Sequence, residues 1–218
     1  ERNFRPHVNC VNITPDQKYL CAVDLGVDQV KIYKFNDETG KITLVDMLRC
    51  ELESAPRIIK FSPDGRFAYL ICELKNYISV YTYKDGPRGP VFELVQTIST
   101  LNEYHSKGSA ACVLRFSRDW NYVLCSNAGD NSVGIFKIDR ETGMLEKICI
   151  LPVSGDYPKA ADFFPDNRHI MALNHESNTM TIFRINYEKK YFSLWGKPLK
   201  VETPNCVLVS EIEEAPKQ

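Results

Sequence analysis

Apolar and polar residues alternate along this chain in short runs, and one arrangement of runs returns four times. The segments "PDQKYLCAV" from Pro15, "PDGRFAYLI" from Pro63, "RDWNYVLCS" from Arg118 and "PDNRHIMAL" from Pro165 begin 48, 55 and 47 residues apart. Each follows an apolar stretch ("CVNIT", "RIIKFS", "CVLRFS", "AADFF") and leads into an alternating one ("QVKIYKF", "YISVYTY", "SVGIFKI", "TMTIFRI"). Period-two alternation predicts half-buried strands, and Pro, Asp and Gly between the first and second runs supply turn chemistry. Three copies then reach a fourth run, "KITLVDM", "FELVQTI" and "LEKICIL", with "DETGKI" and "RETGMLEKI" placing Gly where a tight connection wants positive φ. Four antiparallel strands recurring at roughly 50 residues describe a β-propeller blade. An irregular sandwich also has short strands, but it does not return one hairpin in register four times. The expected fold is all-β, a single propeller domain over residues 1–218.

The register converts sequence position into geometry. Six residues ahead of each repeat anchor, at the start of the innermost strand, stand Asn9, Arg57, Cys112 and Lys159; ten residues after it stand Leu25, Glu73, Ala128 and His175. The first two strands of a blade are antiparallel, so both sets belong to one mouth of the central channel. Two cations, a carboxylate, an imidazole and an amide converging there would suit a small anion. Taken singly, a charged strand end is more often a solvated rim residue; the convergence of five polar positions in one register is what brings a binding site level with that reading. Near the end, "PNCVLV" (204–209) resembles the opening strand of a further blade. The expectation is therefore about four blades plus one strand, the C-terminal portion of a longer propeller, with N-terminal blades or a partner chain needed to close the ring.

Composition narrows the function. With 44% hydrophobic and 25% charged residues over 218 positions, the chain can bury a substantial core. Its 27 Lys and Arg against 28 Asp and Glu leave a net charge of -1, which offers no footprint for nucleic acid or an anionic membrane. No apolar run approaches the roughly 20 residues of a spanning helix, and no signal-peptide core opens the sequence, so a cytoplasmic protein is expected. The eight cysteines lie mostly inside apolar runs without a C-x-x-C pair, which reads as buried free thiols. No Gly-rich phosphate loop, Ser-His-Asp order or metal-ligand spacing is present, so neither cofactor nor metal is expected. His105, on a loop, reads as a solvated histidine, and Asp24 as a turn cap.

The segments "RPHVNCVNITPDQKYLCAVDLGVDQVKIYKFNDETGKI", "APRIIKFSPDGRFAYLICELKNYISVY", "LCSNAGDNSVGIFKIDRETGML" and "PNCVLV" resemble the lactonase family of seven-bladed propellers, which includes the propeller-type 6-phosphogluconolactonases and fungal carboxymuconate lactonizing enzymes. The resemblance implies a hydrolase of carbohydrate metabolism that opens a small anionic sugar lactone, like 6-phosphogluconolactone, in the channel mouth. Such chemistry needs a proton acceptor for the attacking water, donors for the oxyanion and cations for the substrate's charge. Glu73 matches the family's active-site glutamate and Arg57 its "PR" arginine, whose fork suits a carboxylate, phosphate or oxyanion. Of the family's P-H-x-H, His7 keeps the first histidine while Asn9 replaces the second. The "SNR" arginine is Ala128, the later "PR" arginine is Lys159, and His175 stands at a usual glutamine. The implied catalytic set is Glu73, His7, His175 and Arg57, with Arg57, Lys159 and Asn9 binding substrate. The three altered positions favour an alternative, a catalytically weakened propeller that binds a metabolite or a protein.

Overall fold

Each predicted repeat folds as one four-stranded meander in the computed structural model, which describes residues 5–210. Blade 1 is β1 (Val8–Ile13), β2 (Tyr19–Asp24), β3 (Gln29–Phe35) and β4 (Ile42–Arg49). Blade 2 is β5 (Pro56–Phe61), β6 (Phe67–Cys72), β7 (Tyr77–Gly86) and β8 (Gly89–Ser99). Blade 3 is β9 (Ala111–Phe116), β10 (Tyr122–Asn127), β11 (Ser132–Ile138) and β12 (Leu145–Pro152). Blade 4 is β13 (Pro158–Phe163), β14 (His169–Asn174), β15 (Thr179–Asn186) and β16 (Tyr191–Leu194), with a short β17 (Leu199–Lys200) also paired to β15.

The turn after each innermost strand explains why the anchor recurs. Asp16, Asp64, Asp119 and Asp166 each accept the backbone N–H two residues on, at 3.2, 3.1, 3.2 and 2.8 Å. The intervening Gln17, Gly65, Trp120 and Asn167 all take left-handed φ, between 54 and 73°. An Asp followed by a left-handed residue reverses the chain in one step. Trp120 is the unexpected occupant; its ring stacks on Phe116 with centroids 4.3 Å apart.

The core lies between blades. Along β6, Ala68, Leu70 and Cys72 join Cys21, Val23 and Ile32 of blade 1, while Phe67, Tyr69 and Ile71 join Leu114, Val123 and Phe136 of blade 3. Both faces of the strand are covered, which is why the second run of each repeat is nearly all apolar. The first blade differs at its leading face. Val11 is 55% exposed, whereas Ile59, Leu114 and Ala161 at the same register position are fully buried.

Two details depart from the sequence reading. The fourth blade has an outer strand after all, split into β16 and β17 because Gly196 adopts φ 79° and Pro198 has no N–H for the ladder. "PNCVLV" forms no strand. An innermost strand exists only against its hairpin partner, and no second strand follows among the described residues. The segment is instead tied to blades 3 and 4, with Val207 against their shared core and the Val209 carbonyl accepting from Arg118.

Candidate active site at the bulged end of the blades

All four innermost strands are irregular at the same place. Pairing skips Asn9 between Val8 and Cys10, Arg57 between Pro56 and Ile58, Cys112 between Ala111 and Val113, and Lys159 between Pro158 and Ala160. Each is the extra residue of a β-bulge, a device that frees a side chain from the ladder's in-and-out alternation and re-aims it. Opposite, Leu25, Glu73, Ala128 and His175 donate their backbone N–H to the carbonyls of His7, Ala55, Ala110 and Tyr157 at 2.8 to 3.0 Å. Every blade therefore brings three positions to one end: the bulge, the residue two before it, and the residue ending the second strand.

The start of each blade is fixed by the blade before it. Asp28, Asn76, Asn131 and Asn178, in the turns after the second strands, all have φ between 52 and 56°, a conformation that Asx side chains tolerate. Asp28 accepts from the N–H groups of Glu53 and Ala55, both at 2.8 Å. Asn131 accepts from Tyr157 N–H and Asn178 from Thr203 N–H, also at 2.8 Å, while Asn76 donates to the Ser109 carbonyl at 3.0 Å. Asp28 alone uses both carboxylate oxygens this way. Asp28→Asn, although it copies the other three blades, would turn an amide N–H₂ toward a backbone donor. It should destabilise the protein by about 2 kcal/mol, read as a lower urea midpoint with an unchanged m-value.

On blade 2 the bulge and strand-end residues meet. Arg57 Nη1 donates to Glu73 Oε2 in an ion pair, Arg57 Nε donates to the Cys112 carbonyl at 2.9 Å, and Asn9 Nδ2 donates to the Arg57 carbonyl at 3.2 Å. Glu73 Oε1 makes no hydrogen bond among the described residues, so it is open to a water. On blade 4, Lys159 Nζ donates to Asn205 Oδ1 at 3.1 Å, and His175 Nδ1 lies 3.2 Å from the Pro204 carbonyl. A carbonyl can only accept, so Nδ1 is the donor in this contact and Nε2 is left unengaged by it. Burial pushes the Cys112 thiol up, against the pull of Arg57, which leaves it a neutral wall beside the ion pair.

The seven-bladed lactonase β-propeller model matches residues 1–209. The chain belongs to this lactonase family. It is 27% identical over 207 residues to the 6-phosphogluconolactonase of Bacillus subtilis, a match covering 95% of this chain and 58% of that protein. An uncharacterized protein of Staphylococcus saprophyticus is 30% identical over 185 residues, 84% of this chain and 52% of that one. Among solved structures, the Pseudomonas aeruginosa periplasmic gluconolactonase superposes with a TM-score of 0.84 at 25% identity, covering 94% of this chain and 59% of that one. The chain spans little more than half the length of the curated relatives it matches.

Within this lactonase-family chain, the expected residues fall into two groups and one outlier. Arg57, Glu73 and Asn9 form a connected set, while Lys159 and His175 are each tied to the segment after blade 4. His7 is held through its backbone, donating N–H to Asp24 Oδ1 at 2.7 Å, and its exposed ring makes no contact with the others among the described residues. Asp24 is a structural anchor as expected. His105 sits on an exposed loop with Nδ1 2.9 Å from the Asn102 carbonyl. Sequence reading missed Asn205, although "TPN" repeats the Pro-x step of "APR" and "YPK" and the same register would have found it. It also missed Tyr157.

Proposed function

We propose that the full-length protein is a hydrolase that opens a small anionic sugar lactone of the 6-phosphogluconolactone type, at the end of the channel where the bulges cluster. The observation that carries this reading is the partly exposed Arg57–Glu73 pair, in which a guanidinium takes one carboxylate oxygen and leaves the other without a hydrogen bond among the described residues. Glu73 Oε1 accepts a proton from the attacking water, and the remaining Arg57 donors hold the oxygen that becomes negative as the carbonyl carbon turns tetrahedral. The ring C–O bond then breaks, and the departing alkoxide is protonated by the acid just formed or by a histidine. Lys159, steadied by Asn205, meets the substrate's phosphate or carboxylate as a point charge. Family membership and the Bacillus relative's name support the reaction class.

The half-exposed face of β1 fits a ring continued by further blades or by a partner chain. All eight cysteines are free, which fits the cytoplasm, although the Pseudomonas relative is named periplasmic. The test is acid release from 6-phosphogluconolactone at pH near 7, followed by pH-stat. Hydrolysis well above the spontaneous rate is expected; a rate equal to the spontaneous one would sink the lactonase reading. The closed Arg57–Glu73 pair also fits a binding module, which would take up the product 6-phosphogluconate without turning over the lactone.

A further inference from the structure

Tyr157 occupies the position two before the bulge in blade 4, the register equivalent of His7 in blade 1, Ala55 in blade 2 and Ala110 in blade 3. Its backbone is strained, with φ 60° on a bulky residue. The bend goes with the following proline, since Ala55 and Thr203 also stand before prolines with φ 54 and 40°, while His7 and Ala110, which do not precede proline, lack it. An aromatic ring there is not general. Three hydrogen bonds brace the bend: Tyr157 N–H to Asn131 Oδ1 at 2.8 Å, His175 N–H to the Tyr157 carbonyl at 3.0 Å, and Asn131 Nδ2 to Asp156 Oδ1 at 3.0 Å.

The ring is half-buried and lies 6.5 Å, centroid to centroid, from the His175 imidazole. It flanks the core cluster that includes Cys112 and Ala128. With Ala110, those residues make blade 3's share of the mouth small and uncharged. Burial raises the phenol above its usual range, with Cys112, Glu73 and Glu176 adding to the rise and Arg57 opposing it. The hydroxyls of Tyr19, Tyr69, Tyr83 and Tyr187 are bonded to Asp85, Gly143, Asp16 and Asn167. Those of Tyr33, Tyr122 and Tyr157, all half-buried, make no hydrogen bond among the described residues, and of these three Tyr157 is the one beside His175. A half-buried phenol without a partner, beside a proposed reaction centre, is a donor waiting for a ligand.

We propose that Tyr157 is a substrate-contact residue, forming the wall in front of blade 3 and donating its O–H to a hydroxyl of a polyhydroxylated lactone whose anionic end lies at Lys159. This rests on the lactonase reading for the identity of the ligand. It makes selectivity at that wall a matter of uncharged hydroxyls, since no cation of blade 3 stands there.

The experiment compares the full-length wild type with Tyr157→Phe and Tyr157→Ala by two readouts, steady-state hydrolysis of 6-phosphogluconolactone and calorimetric binding of 6-phosphogluconate. Tyr157→Phe keeps the ring and loses the donor; KM and the product Kd should each rise about fivefold with kcat within about twofold. Tyr157→Ala should raise both about twentyfold, and where it fails to fold, the Phe variant decides alone. Wild-type values in Tyr157→Phe for both KM and Kd overturn the proposal while leaving the lactonase reading intact. Product binding weakened by the substitution in a protein that never hydrolyses the lactone supports Tyr157 and rejects the lactonase reading. Neither product binding nor lactone hydrolysis by the wild type rejects both, and where the wild type hydrolyses the lactone without measurable product binding, KM in Tyr157→Phe decides the proposal alone.

Discussion

Replacing Glu73 with Gln should lower kcat for lactone hydrolysis about a thousandfold, the middle of the range for loss of a general acid–base group. The amide keeps the side chain's size, and its oxygen can still accept from Arg57 Nη1, so the guanidinium stays oriented toward the mouth. What disappears is the second oxygen's ability to take a proton from water. KM should change by less than about threefold, because Gln leaves the cations at Arg57 and Lys159 in place. A loss confined to KM would show that Glu73 positions Arg57 and leaves proton transfer to a histidine. A fall in kcat of less than about tenfold would remove Glu73 from the chemistry.

The largest stability effect is expected at Asp24. Its side chain is fully buried and accepts from His7 N–H at 2.7 Å, Gly26 N–H at 3.2 Å and Lys31 Nζ at 3.1 Å. Gly26 is part of the same junction, since a Cβ there would stand 1.7 Å from the Arg5 carbonyl oxygen. Asp24→Ala leaves three donors facing an apolar methyl and should cost about 3 kcal/mol. Burial alone would raise the Asp24 carboxyl, but its donors outweigh that and hold it below the usual carboxylate range. The sign follows directly. A depressed folded-state value contributes stability that is complete above the unfolded value, near pH 4, and is lost as the pH falls through the folded one. Asp64, Asp119 and Asp166 are also lowered and share this acid limb, so the informative quantity is the difference between proteins. Urea midpoints measured from pH 7 to pH 2.5 should converge for wild type and Asp24→Ala at the acid end. Curves that stay parallel would show that Asp24 contributes shape and not charge.

The repeat made most of this arrangement legible before any coordinates. Period-two alternation and a recurring Asp turn fix strand order, and counting from the turn picks out Asn9, Arg57, Cys112 and Lys159, all of which prove to be bulge residues. The bulges themselves were not legible, because one skipped residue leaves no mark on a hydrophobic pattern. Nor was the Asx device, although Asp28, Asn76, Asn131 and Asn178 share an offset from the anchors; Asx in a loop has too many possible partners to assign from sequence. Tyr157 hid for another reason. Its neighbours in the same register are His7, Ala55 and Ala110, and no common chemistry marks the position. The outer strand of blade 4 was obscured by Gly196 and Pro198, which read as loop.

The bulges also bear on how such a protein changes over generations. A residue left out of cross-strand pairing supplies no side chain to the regular ladder alternation, so the sheet is largely indifferent to its identity. Four chemically unlike residues, an amide, a guanidinium, a thiol and an ammonium, occupy one structural position in a single chain. Each sits on its own blade, but the side chains of Asn9 and Arg57 bond the main chain of the next bulge, so substitutions at those two positions act together. Selection can therefore alter the chemistry of the mouth at single positions, provided that the cross-blade bonds of Asn9 and Arg57 are replaced when those two change.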